Sequence, residues 1–308
     1  MTVSIRGMTP DDWQAVSEVD LKAFNGYYQQ TNRPVLTGQR TKLNITASFA
    51  MYPAGCFVAV DQNVIGYVFS RHWGKQGWIG VFGIDPQYHG QGIGKRLIQR
   101  TLNQLKKSGC ETIGLETMPD SPYNVGLYMS MGMLPVYNTL YMAKDLMGDK
   151  PPNATPRLSQ INLKDGLSSI SALSRAAHPA VDYAQEAKNA LDFGWGDVLL
   201  PGWPHPWGFA IVRFKPVRGA SQQAVCDLIS IVLPAEGRNR FVAMVNLVEQ
   251  FALQIGAAQI TLPIYAREHQ ALQQTVDQGY RVSRINVRMV VPQPYPDTPG
   301  LDLNRWTM

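Results

Sequence analysis

The stretch Ile79–Leu105, IGVFGIDPQYHGQGIGKRLIQRTLNQL, decides how the rest of the chain is read. Its opening residues Ile79, Val81, Phe82 and Ile84 are apolar and β-prone. Its close sets Leu97, Ile98, Thr101, Leu102 and Leu105 on one face of an amphipathic helix. Between the two, Gly90, Gly92 and Gly94 stand at alternate positions. A strand that feeds a glycine loop opening a helix is an anion-binding device. The first-turn N–H groups are unpaired, the helix start carries partial positive charge, and glycine lets an oxyanion come close.

The glycine spacing narrows the choice. A dinucleotide fold needs G-x-G-x-x-G, and here the third glycine comes one residue early. A P-loop needs Ser or Thr after its lysine, whereas Arg96 follows Lys95. The segment His89-Gly90-Gln91-Gly92-Ile93-Gly94 resembles the acyl-CoA loop of the GNAT acyltransferase superfamily, [RQ]-x-x-G-x-[GA], with His89 in place of the usual Arg or Gln. Downstream, Leu127-Tyr128-Met129-Ser130-Met131-Gly132-Met133 is similar to the superfamily's second, aromatic-rich signature.

Working outward, Val3–Arg6 predicts a strand, and Thr9-Pro10-Asp11-Asp12 starts a helix through Trp13, Val16, Val19 and Phe24. Asn25–Gln39 reads as an irregular arm, and Phe57–Val60 with Val64–Ser70 as a hairpin. Past Leu105, Gly109 predicts a helix end, Thr112–Glu116 a strand, Ser121-Pro122 a helix start, and the residues around Pro135 a final strand pair ending at Lys144. Residues 148–157, GDKPPNATPR, read as a linker.

Beyond the linker the chain repeats. Gly109 and Gly256 are 147 residues apart, and the same shift pairs Ile113 with Ile260, Leu115 with Leu262, Gly132 with Gly279, and Met142 with Met289. This is a duplication of a whole domain rather than a short repeat. The copy departs at the glycine loop: Gly92 becomes Asn239, Ile93 becomes Arg240, Gly94 becomes Phe241, and Tyr128 becomes Thr275. The expected fold class is α/β (α+β): two GNAT-like domains in tandem, each a mixed, mostly antiparallel twisted sheet flanked by helices. The expected boundaries are 1–147 for a catalytic domain, 148–157 for the linker, 158–292 for a degenerate copy and 293–308 for a tail. The Trp- and Pro-rich segment 194–209 is expected to cover a core edge.

Composition bounds the rest. The 308 residues are 45% hydrophobic and 17% charged with a net charge of +5, which describes a globular chain of about two domains. Lys and Arg form no run, so nucleic acid is not expected as partner, and no membrane is expected since no apolar run approaches the ~20 residues that span a bilayer. Cys56, Cys110 and Cys226 show no metal spacing or disulfide framework. The N-terminus lacks a signal-peptide pattern, and the expected location is the cytoplasm.

The resemblance implies an acetyl-CoA-dependent N-acetyltransferase acting on a primary amine of a small molecule or peptide by direct attack. It uses no metal and is a monomer or homodimer; the alternative is a non-catalytic acyl-CoA-binding module. His89, Gly90, Gln91, Gly92, Ile93, Gly94 and Lys95 are expected at the pyrophosphate, with Ser121 nearby. Phe82, Gly83 and Ile84 are expected along the pantetheine, with Gly83 as a bulge. Tyr128 is implied as the general acid. Glu116 is the candidate base, with Asp85, Asp120, His72 and His89 as rivals. Tyr27, Tyr28 and Trp73 are expected at the acceptor mouth.

Overall fold

The computed structural model describes residues 3–36, 38–148, 155–219, 224–291, 295 and 297–305. The first half runs β1 (Ser4–Gly7), α1 (Trp13–Gln30), α2 (Lys42–Met51), β2 (Phe57–Asp61), β3 (Asn63–Trp73), β4 (Gln76–Ile84), α3 (Ile93–Lys107), β5 (Thr112–Thr117), α4 (Pro122–Met129) and β6 (Leu134–Asp145). The second runs α5 (Leu163–Ala177), α6 (Ala184–Asp192), β7 (Gly196–Leu199), β8 (Phe209–Arg213), β9 (Val225–Leu233), α7 (Phe241–Gln254), β10 (Gln259–Tyr265), α8 (His269–Asp277), β11 (Arg281–Val291) and β12 (Leu301–Asn304).

The duplication is visible in these bounds. Thr112 and Gln259, Pro122 and His269, and Leu134 and Arg281 open matching elements, each pair 147 residues apart. Gly109, Gly132, Gly256 and Gly279 end the matching helices, all with φ between +78° and +86°.

The halves do not form separate sheets. Among the described residues, eleven strands lie in one sheet in the order β1-β2-β3-β4-β5-β11-β6-β10-β9-β8-β7, and β12 adds to β9. The expected final strand pair of the first half is instead one long strand, β6. Its partner comes from the other half: β11 lies between β5 and β6, and β6 in turn pairs with β10. The halves have exchanged last strands. Pro135, which suggested a break, stands beside a register shift in the β6–β11 ladder, where its missing N–H is tolerated. Among the described residues, only β4–β5 and β9–β10 are parallel pairs.

Other expectations shift too. α1 continues to Gln30 through the first residues of the supposed arm, and α2 was not foreseen. The tail is not structureless, since it supplies β12. Most of the linker, residues 149–154, lies outside the described residues.

One apolar core crosses the join, with Trp78, Leu97, Leu115 and Tyr128 of the first half clustered with Trp195, Phe209 and Met289 of the second. Buried ion pairs cross it as well: Arg71 with Glu186, and Asp20 with Arg218. α1 packs on β3 and β4 from one face and α3 from the other. Consecutive residues of β4 show the two faces. A Cβ on Gly94 in α3 would lie 3.4 Å from the Phe82 ring, and a Cβ on Gly83 would lie 3.0 Å from Ala23 of α1.

Candidate active site

β4 and β5 are paired only through Gln76↔Thr112, Gly77↔Ile113 and Trp78↔Gly114. β4 then runs on to Ile84 along β3 while β5 runs to Thr117 along β11, so the two diverge and leave a wedge. Among the described residues, no strand lies beside the edge of β4 from Ile79 to Ile84 that faces the wedge. A bare edge of this kind accepts an extended ligand by main-chain hydrogen bonds. One extra residue sits in β4 between Ile79, paired with Ser70, and Phe82, paired with Val68. The bulge is thus at Gly80–Val81 rather than at the expected Gly83. Gly83 pairs in register with Tyr67 and is small because α1 lies against it.

The wedge leads to the glycine loop. Asp85 accepts the Gln87 N–H (3.1 Å) to cap a short turn, Pro86–Tyr88, and pairs with Lys22 at 3.0 Å. His89 Nε2 donates to the Ile84 carbonyl (3.2 Å), so this ring braces the loop against the end of β4. Gly92, at φ +73°, precedes α3 and offers it no capping side chain. The first main-chain bond of the helix is Arg96 N–H to Gly92 O at 3.1 Å. The N–H groups of Ile93, Gly94 and Lys95 have no partner among the described residues and concentrate the positive end of α3 there. Ile93 is buried and anchors the turn, while Gln91 is exposed. Along the outer face of α3 runs an open groove of about 600 Å³, lined by Ile5, Lys95, Arg96, Gln99, Arg100 and Asn103. Of these groove residues, the sequence alone points only to Lys95. The signal for this groove was the basic i, i+4 pair Arg96 and Arg100.

Tyr128 reaches the wedge from α4, which Ser121 caps by accepting the Asn124 N–H at 3.4 Å. Its ring meets Phe82 edge to face at 6.3 Å between centroids. The side chain is buried and its hydroxyl makes no hydrogen bond among the described residues. Burial pushes the phenol upward, so it is protonated at neutral pH. A protonated phenol without a hydrogen-bond partner among the described residues has a proton it can donate.

The proposed bases fare differently. Glu116 is enclosed: Oε1 accepts from Thr139 (2.5 Å) and Arg288 (2.8 Å), and Oε2 from Tyr141 (2.6 Å) and Asn286 (3.3 Å). Its side chain and that of Arg288 are both fully buried. This carboxylate is committed to binding the exchanged strand β11, which corrects its reading as a free base. Asp120 binds Tyr27 OH (2.6 Å) and Arg33 (2.5 Å), with Arg33 over the Tyr27 ring, tying the end of α1 to the loop after β5. Tyr28 stacks obliquely beside Tyr27. His72 is packed on Tyr52.

Trp73 is not at the mouth. It lies at the closed end of the wedge, where β3 turns into β4, fully buried, with Nε1 donating to Glu186 Oε2 at 2.8 Å. Replacing Glu116 by Gln is expected to cost about 3–5 kcal/mol, the usual effect of stranding one buried partner. A urea midpoint unchanged from the parent would contradict this role.

The second half closes the equivalent site twice. Pairing of Val225 with Gln259 makes β9 the counterpart of β4, and β9 repeats the bulge at Ile229. Its free edge is taken by β12, through Asn304↔Ser230, Leu303↔Ile231, Asp302↔Val232 and Leu301↔Leu233. That strand fills the wedge which the first half leaves open. At the helix start, Ala235–Arg240 forms a 3-10 turn running into α7, and the Phe241 ring is buried. Thr275, opposite Tyr128, returns its hydroxyl to the Ala271 carbonyl at 2.7 Å. Among the described residues no group of three or more His, Cys, Asp or Glu is placed to hold a metal. No described helix is long and apolar enough to cross a membrane.

Residues 13–133 match the Acetyltransferase (GNAT) family. Over 93 residues the chain is 32% identical to the mycothiol acetyltransferase of Nocardia farcinica, covering 28% of this chain and 31% of that protein. Over 83 residues it is 29% identical to N-alpha-acetyltransferase 30 of Saccharomyces cerevisiae, covering 27% and 43%. The chain thus spans less than half the length of either curated relative. Solved structures resemble nearly all of it, two of them as follows. A putative acetyltransferase from Pyrococcus horikoshii superposes with a TM-score of 0.68 at 19% identity, covering 95% of this chain and 90% of that one. A tandem GNAT protein from the clavulanic acid biosynthesis pathway gives 0.59 at 13% identity, covering 96% and 100%. At those identities the likeness is one of fold. Residues 13–133 thus carry the match to the GNAT acetyltransferase family, and along its whole length the chain has the fold of a tandem GNAT protein.

Proposed function

We propose that the first half binds one acetyl-CoA and transfers its acetyl group directly to a primary amine of a small molecule or peptide. The observation that carries this reading is the open β4 edge, with the uncapped start of α3 at one end and Tyr128 at its side. The N–H groups of residues 93–95 would hold the pyrophosphate, and the basic groove along α3 suits the phosphorylated nucleotide end. The pantetheine would lie along Phe82–Ile84 as an added strand, with a main-chain N–H near the bulge facing the thioester oxygen. The amine nitrogen attacks the carbonyl carbon, the C–S bond breaks, and Tyr128 gives its proton to the departing thiolate. The proton shed by the amine leaves to water, from which the phenol is restored.

The carboxylates around the wedge are each committed to other partners, so the acceptor is expected to arrive as the free amine. That favours α-amino groups, with pKa about 8, over lysine-like amines near 10.4, by roughly 10² at neutral pH. Release of free thiol from acetyl-CoA, followed with a panel of primary amines and peptides, tests both points. The expected kcat/KM rises about tenfold per pH unit up to each amine's own pKa, because only the neutral fraction reacts. A common break near pH 6–7 for every acceptor would show a titrating base in the protein. Binding of acetyl-CoA without release for any amine would favour the non-catalytic alternative.

A further inference from the structure

Where α2, the end of β3 and β8 meet, a small pocket of about 20 Å³ lies between the halves. It is lined by Asn44, Ser48, Arg71, Asn189, Arg213 and Lys215 among its polar residues. Several of the donors in this lining have no acceptor among the described residues. Arg213 is 6% exposed, and its guanidinium makes no hydrogen bond or ion pair among the described residues and rests 5.3 Å from the Trp195 ring centroid. Arg71, 5% exposed, spends one terminal nitrogen on Glu186 but leaves Nε buried without a partner. The buried Ser48 hydroxyl is likewise unbonded among the described residues, and Lys215 stands exposed at the mouth. Asn189 is fixed as a wall, its amide donating to Ala47 O (3.1 Å) and accepting from Trp195 (2.7 Å).

The nearby carboxylates do not neutralise this cluster. Glu186 is divided between Arg71 and Trp73, and Asp227 between Arg305 and Thr261. Burial lowers Arg213 to about 10, with Asp227 pulling only partly the other way. An unpaired guanidinium taken out of water is costly, and native structures offset it with a counter-charge. A space of this volume admits one water-sized particle.

We propose that this pocket is an anion site that joins the halves, filled by a halide or by one oxygen of a small oxyanion such as phosphate or a carboxylate. The anion accepts from Arg71 Nε and Ser48 of the first half and from Arg213 and Lys215 of the second. It is separate from the wedge and independent of the acetyl-transfer reading.

Thermal melts of the full chain in chloride, phosphate and acetate, each titrated from zero at fixed ionic strength, test the site. The parent should gain about 2–6 °C saturably with at least one anion, because binding to the native state alone raises its stability. Arg213→Met should lose that saturable gain, and without added anion it should melt at or above the parent, since no charge is stranded. Saturation by chloride alone assigns a monatomic site, and saturation by phosphate or acetate an oxyanion site. Equal responses in parent and variant, or none in the parent, would overturn the proposal. If Arg213→Met does not fold, an anomalous peak at the Arg213 guanidinium in bromide-soaked parent crystals, or a saturable oxyanion gain in the parent lost in Ser48→Ala, supports the site. Absence of both refutes it.

Discussion

Gly92→Val is expected to weaken CoA binding by roughly 10²–10⁴. The estimate is the loss of two charge-assisted hydrogen bonds at about 1.5–3 kcal/mol each, with 1.4 kcal/mol for each factor of ten. Gly92 sits at φ +73°, where a β-branched residue is strained, and its missing Cβ faces open space. Relaxing that strain re-aims the first-turn N–H groups, and the new methyls occupy the place the phosphate oxygens need. Gly94 acts differently. A side chain there points back at Phe82, toward the wedge, so Gly94→Ala should disturb the pantetheine end more than the phosphate end. Calorimetric titration of Gly92→Val showing parental affinity would remove the loop from the site.

Tyr128→Phe is expected to lower kcat by roughly 10²–10⁴, the usual contribution of a positioned general acid. Affinity for CoA and melting temperature should barely change. The hydroxyl has no hydrogen bond among the described residues to lose, and the ring contact with Phe82 remains. The loss belongs in kcat because the proton is needed as the C–S bond breaks and hardly before. Burial holds the phenol protonated well above neutral, so Tyr128 should impose no alkaline limb on the parent's rate below pH 10. Parental turnover by the variant would return Tyr128 to the core.

Much of this arrangement was legible along the chain because it is local. The glycine loop, α3 and α4 announce themselves by spacing, and the 147-residue register predicted the positions of β10, α8 and β11. What was not legible depends on neighbours remote in sequence. A strand's alternation is the same whichever strand lies beside it, so the exchange of β6 and β11 leaves no trace in either segment. Glu116 reads as a base in the sequence because its partner Arg288 stands 172 residues away. Trp73 looked like a mouth residue because its position in the β3–β4 turn, against Glu186 of the other half, is set only by the fold. α2, KLNITASFAM, carries too little polar contrast to show a buried face. Leu301–Asn304 is too short to be read as a strand until β9 offers it an edge.

The contrast between the two wedges gives the account its sharpest consequence. Calorimetric titration of the full chain with acetyl-CoA should give one site per chain, because β12 and Phe241 close the second half while the first stands open. A stoichiometry of two, or no binding at all, would contradict it.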